Sequence, residues 1–174
     1  EILNRPMETG ILEAGARVLM DAGIKVSLNN IIGFPLETRE MMFETIDQLW
    51  RIKPDRYSVR FLTPYPGTPL RVLSVNNNFI SDNYEDSHDG AKSFLHEPVL
   101  KLPETYDIRN MRVWDPENSP DGTGYRIVDA EHPQGQIINH PKYNEQMTIR
   151  KLFGIYAFSP TKSMRKIIEL AEDR

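Results

Sequence analysis

The chain has 174 residues, 39% of them hydrophobic and 26% charged, with a formal net charge of -4 and no cysteine. That length suits one ordinary domain or part of a larger one, and the charge balance leaves no electrostatic footprint for nucleic acid; Arg150-Lys151 and Lys162 to Lys166 read as solvated helix faces. Without cysteine, disulfides, thiolate zinc sites and cysteine-held iron-sulfur clusters are excluded within these residues.

Apolar side chains at Ile11, Leu12, Val18, Leu19 and Ala22 recur at helical spacing and Gly23 follows as a stop, which predicts an amphipathic helix from Thr9 to Ala22. A strand follows in KVSLNNIIGFPLET, Lys25 to Thr38. Thr38 is the expected N-cap of the next helix and Glu40 favours the positive end of its dipole. Met42, Phe43, Ile46, Leu49 and Trp50 form its expected buried stripe, running to Ile52. Pro54-Asp55 breaks that helix, and a second strand begins near Tyr57 in RYSVRFLTPYPGTPL, Arg56 to Leu70. Helix, strand, helix, strand with short connections is the pattern of parallel α/β structure, as a doubly wound sheet or a barrel. In both, ligand sites gather where strands end in loops. Beyond Val75 the chain turns polar. Tyr125 to Val128 and Gln136 to Ile138 read as strands, with Pro133-Gln134-Gly135 as the reversal of a hairpin. Two helices are expected at the end, Met147 to Phe158 and a last one capped by Ser159 or Thr161.

Side chains alternate across a strand, so Val26, Leu28, Asn30 and Ile32 share one face and Ser27, Asn29, Ile31 and Gly33 the other. The first set suits packing under helices. A parallel strand covered on both sides is normally apolar on both, so Ser27 and Asn29 point either to a cavity-lining surface or to hydrogen bonds between strands inside a barrel. In the second strand Tyr57, Val59 and Phe61 alternate with Ser58, Arg60 and Leu62. Arg60 needs an anion if it points into a barrel, or a surface carboxylate if it lies at a strand edge. Pro64, Pro66 and Pro69 stiffen the next loop while Gly67 permits a positive φ, giving a wall from which Tyr65 and Thr68 reach a substrate pocket if the loop is more than structural. Glu37 reads first as a helix-start acid. Ser87-His88-Asp89 is no catalytic triad, because adjacent residues on an extended chain point apart and no nucleophile elbow surrounds them. His88, His96, His132 and His140 lack the spacing of a metal site.

Leu3-Asn4-Arg5, the helix end Asp21-Ala22-Gly23-Ile24, the run Ile31 to Thr38 and the run Thr63 to Leu70, taken in that order, resemble the C-terminal half of the radical S-adenosylmethionine (radical SAM) catalytic domain, most of all in members with an N-terminal cobalamin-binding domain. The resemblance covers Glu1 to Leu100. It implies an α/β fold: the C-terminal half of a partial TIM-like barrel over residues 1–75, followed by an α+β C-terminal extension over 76–174. It also implies a 4Fe-4S cluster on three cysteines spaced C-x-x-x-C-x-x-C, S-adenosylmethionine on its unique iron, and a 5'-deoxyadenosyl radical made by reductive cleavage. Cobalamin is a further cofactor of the similar members, and the reaction class is radical C-H functionalisation or methyl transfer. This chain departs from the pattern: the three cysteines and the Gly-Gly-Glu-type segment are missing.

The resemblance matches Arg5 to an arginine that reaches the S-adenosylmethionine carboxylate or ribose, a task that suits the forked guanidinium. It places Asn29 against the ribose hydroxyls with Ser27 on the same face, Ile31 against adenine, Gly33 at the close backbone turn, and Leu62 and Thr63 at the adenine edge. Arg60, Tyr65 and Thr68 fall to the substrate pocket, and Asp82, Tyr84, Glu85 and Asp86 to its mouth. The expected reading is a fragment of a radical SAM enzyme, inactive and without stable cofactor binding by itself, whose partners are the missing N-terminal half of the same protein and a small-molecule substrate. No apolar run reaches bilayer-spanning length and no signal-peptide pattern precedes Asn4-Arg5, so the expected compartment is the cytoplasm. A non-catalytic α/β binding or assembly module and a barrel enzyme acting on a phosphorylated small molecule are the rival readings. The second lacks a glycine-rich phosphate cradle.

Overall fold

A computed structural model describes residues 9–80, 98–107, 112–114, 125–127, 137–158 and Lys166. The first helix, α1 (Thr9–Asp21), ends as its sequence implies. Gly23 takes φ 75°; its N–H bonds to the Met20 carbonyl at 2.9 Å and the Ile24 N–H to that of Leu19 at 2.9 Å. This paired closure of the last turn is one that a Cβ at the left-handed position would disfavour. Strand β1 (Ser27–Ile32) then runs parallel to β2 (Arg56–Phe61), with Ser27 opposite Arg56, Asn29 opposite Ser58 and Ile31 opposite Arg60. The crossover between them is α2 (Arg39–Ile52), capped by the Thr38 hydroxyl, which accepts from the Met41 N–H at 3.3 Å, and closed by Lys53 in the left-handed region.

One face of the strand pair carries the main core. Leu28 and Ile32 from β1 and Tyr57, Val59 and Phe61 from β2 pack against Met42, Phe43, Ile46 and Leu49 of α2. Ile149, Phe153 and Ala157 join them from a late helix, α4 (Tyr143–Phe158). Full burial of side chains such as Met42 and Ile46 is worth roughly 2 kcal/mol each. Arg39 at the start of α2 pairs with Glu145 in the first turn of α4, fixing how the two helices lie together. Trp50 departs from the expected buried stripe: in the last turn of α2 its ring has the Lys53 ammonium 5.5 Å away and stays 40% exposed.

Beyond β2 the proline-rich loop resolves into a helix the sequence reading did not anticipate, α3 (Pro69–Asn76). It starts where Thr68 accepts from the Arg71 N–H at 3.2 Å and Pro69 occupies the first turn. Its Leu70 and Leu73 close a second apolar cluster with Leu62, Phe79, Ile80 and Leu100. The remaining strands are three residues each: β3 (Thr105–Asp107), β4 (Arg112–Trp114), β5 (Tyr125–Ile127) and β6 (Ile137–Asn139). The expected hairpin is corrected here. β5 pairs with β4, and β6 pairs with β3, both antiparallel. Helix α4 begins a turn before the expected Met147, and the last predicted helix lies outside the described residues apart from Lys166.

Candidate functional site

Among the described residues no helix covers the second face of the strand pair. Ser27, Asn29 and Ile31 of β1 and Arg56 and Arg60 of β2 are exposed on it, and Ser58 is half-buried. Ile31 is 44% exposed, a large cost for a strand residue unless something apolar covers it. Beside it the Ser58 hydroxyl donates to the Asn29 Oδ1 at 2.8 Å, which fixes the amide's orientation and turns its two N–H donors outward. The face therefore offers a polar column, Ser27 and Asn29, next to one flat apolar side chain, with two guanidinium groups across from them.

Two loops leave the ends of the strands, one after Ile32 and one after Phe61. Gly33 has φ 84°, and a Cβ there would meet Phe61 at 3.4 Å and Gln146 Oε1 at 3.5 Å. Leu62 is buried in the second cluster, and its N–H bonds to the Ile32 carbonyl at 2.9 Å. The next residue, Thr63, holds a buried hydroxyl with no hydrogen-bond partner among the described residues. A buried orphan hydroxyl is uncommon, and one at a strand end points to a missing acceptor or donor. Tyr65 is 64% exposed. The Thr68 hydroxyl is engaged in capping α3 and in donating to the Tyr65 carbonyl at 2.7 Å. Arg5, Asp82, Tyr84, Glu85 and Asp86 lie outside the described residues.

A network that the sequence did not signal holds the loop between β1 and α2. The carboxylate of Glu37 accepts the N–H groups of both Gly33 and Phe34. Burial pushes its pKa from 4.5 up to about 7, opposed in part by those two donors. The Glu37 carbonyl in turn accepts from His140 Nδ1 at 2.7 Å. His140 Nε2 then accepts from Gln146 Nε2 at 3.1 Å, and the same amide donates to the Pro141 carbonyl at 2.9 Å. Both imidazole nitrogens are thus assigned, Nδ1 protonated and Nε2 bare. Burial lowers the His140 pKa, partly offset by the bond to Glu37, so the neutral ring belongs to the folded state. Leu36, within the same loop, takes φ 67°, an uncommon conformation for a side chain of its size. No group of three or more potential metal ligands gathers among the described residues.

No family model matches the chain, and no solved structure matches it. Biotin synthase from Nitrosopumilus maritimus (strain SCM1) is 38% identical over 55 residues, which make up 32% of this chain and 17% of that protein. The likeness is short and supports a relation at the level of the radical SAM superfamily. No helix among the described residues is long and apolar enough to cross a membrane.

Proposed function

We propose that this chain is the C-terminal part of a radical SAM catalytic domain, half of a partial TIM-like barrel with an α+β extension, and that the open face of β1 and β2 forms part of its S-adenosylmethionine pocket. The observation that carries the reading is this face itself. A parallel strand pair with helices on one side leaves Ser27, Asn29 and Ile31 uncovered on the other, where a dry core would be apolar. The match to part of biotin synthase, a radical SAM enzyme, supports it from a separate direction.

The residues present fit the adenosyl portion of such a cosubstrate. The outward N–H donors of Asn29 suit ribose hydroxyls, the exposed Ile31 suits a flat base, and the orphan hydroxyl of Thr63 suits a base edge. They do not fit an iron-sulfur cluster, since the chain holds no cysteine. The cluster, and any cobalamin, belong in this proposal to the rest of the enzyme. Within the domain, the part played by this chain is to bind, orient and keep water from the adenosyl group while the radical chemistry proceeds.

The test is equilibrium binding of S-adenosylmethionine to the complete enzyme and to its Asn29→Ala and Thr63→Val variants, with circular dichroism confirming that each is folded. Loss of one hydrogen bond of this kind lowers affinity by about fivefold to tenfold. Unchanged affinity in both variants discards the assignment of the face.

A further inference from the structure

A second recess lies along the edge of β2 turned away from β1, which no other strand among the described residues pairs with, and its lining includes Ser58. Between this edge and α4 runs an open cleft of about 490 Å³, lined by Tyr57, Val59, Arg150, Lys151, Phe153 and Gly154 among others. The N–H groups of Arg56 and Leu62 bond to the carbonyls of Val26 and Ile32 on the β1 side. Backbone groups alternate along a strand, so Tyr57, Val59 and Phe61 turn their N–H and C=O groups to the opposite edge, into the cleft. Among the described residues these groups have no partner. The charged side chains in the lining are both cationic: the Arg150 guanidinium rests 5.7 Å from the centre of the Phe61 ring, and its buried Nε finds no acceptor. At Gly154 an added Cβ would overlap the Tyr57 hydroxyl, so only a glycine lets the ring lie back against the helix.

We infer that the β2 edge and the Arg150-Lys151 pair together form a docking groove for an extended, acidic segment of a partner protein, which adds to the sheet as a third strand. The row of groups decides between a peptide and a small anion. Donors alternate with the carbonyls of Tyr57 and Val59, and a phosphate or free carboxylate in the cleft would lie against those carbonyls with nothing to donate. A peptide strand supplies an N–H for each carbonyl and a C=O for each N–H. Its acidic side chains then meet Arg150 and Lys151, the first with its guanidinium 5.7 Å from the Phe61 ring centre and donors suited to a carboxylate.

The experiment uses the whole chain and a fluorescent, end-blocked decapeptide of alternating glutamate and valine, read by anisotropy at low salt and by amide exchange. Binding is expected, with exchange slowed at the Tyr57 and Val59 amides. The double variant Arg150→Gln, Lys151→Gln is expected to weaken it about tenfold, the effect of two partly exposed ion pairs, while leaving the fold intact. The proposal is overturned if the peptide does not bind, if an alternating lysine-valine peptide binds as well, or if the double variant binds unchanged. Displacement of the peptide by millimolar inorganic phosphate, with the same amides protected by phosphate alone, also overturns it and marks a small-anion site.

Discussion

Replacing Glu37 by Gln tests whether burial governs the loop between β1 and α2. The carboxyl is 7% exposed, and its pKa rises from 4.5 to about 7 on folding. Because the folded state holds the proton more tightly than the unfolded one, this group's contribution is fully present below pH 4.5 and is lost as the pH rises through 7. At 1.36 kcal/mol per pKa unit, the loss amounts to roughly 3 kcal/mol between those limits. Gln cannot ionise, and its amide oxygen still accepts from Gly33 and Phe34. The difference in unfolding free energy, variant minus wild type, should therefore grow from near zero below pH 4 through about 1 kcal/mol at pH 5 to about 3 kcal/mol in favour of Gln at pH 8. Urea denaturation at half-unit pH steps measures it, and the difference cancels every other titrating group. A difference that stays flat, or that favours Glu increasingly as pH rises, would show that the two backbone donors outweigh desolvation and refute the reasoning.

His140 supplies the opposite pH dependence. Its neutral ring is the folded form, so its contribution is present above the ordinary pKa of 6.5 and declines as pH falls below it; His140→Ala should remove that slope from the same urea series. The substitution also strips partners from the Glu37 carbonyl and Gln146, and should cost about 2–3 kcal/mol, with faster amide exchange across the first turn of α4. Gly154→Ala forces the added methyl into the Tyr57 hydroxyl and should lower stability by about 1–3 kcal/mol, as read from the thermal midpoint. Combining it with Tyr57→Leu should recover part of the loss, and no recovery would mean that the ring is not what the methyl meets.

The elements from α1 to β2 are legible in the sequence because their signals are local. Gly23 ends α1 and Thr38 starts α2 by contacts made within a few residues, and alternation along β1 separates Leu28 and Ile32 from Ser27, Asn29 and Ile31 before any coordinates are known. Helix α3 is hidden because Pro64, Pro66 and Pro69 signal a rigid loop, although Thr68-Pro69 is itself a start signal. The three-residue strands carry too little alternation to choose partners, so the sequence suggests a hairpin of β5 and β6 where the fold pairs them with β4 and β3. Periodicity also placed Trp50 in the core, but a helical stripe says nothing about where the neighbouring helix stops covering it. In the candidate site, the face was readable and its supports were not. Glu37 looked like a helix-start acid, and nothing near His140 hints at a carbonyl 103 positions earlier.

That separation sets a schedule for biosynthesis. Strands β1 and β2 and helix α2 can begin to associate as soon as they leave the ribosome, but the turn through Gly33 and Glu37 has only the local bonds of the Glu37 carboxylate until His140 and Gln146 have been made. Ile31 and the orphan hydroxyl of Thr63 thus sit beside an unfinished loop until those residues emerge. Pairings this distant in sequence are the slow ones in folding. Ribosome stalling or proteolytic cleavage ahead of His140 would leave a strand pair that is formed but a loop without its distant support.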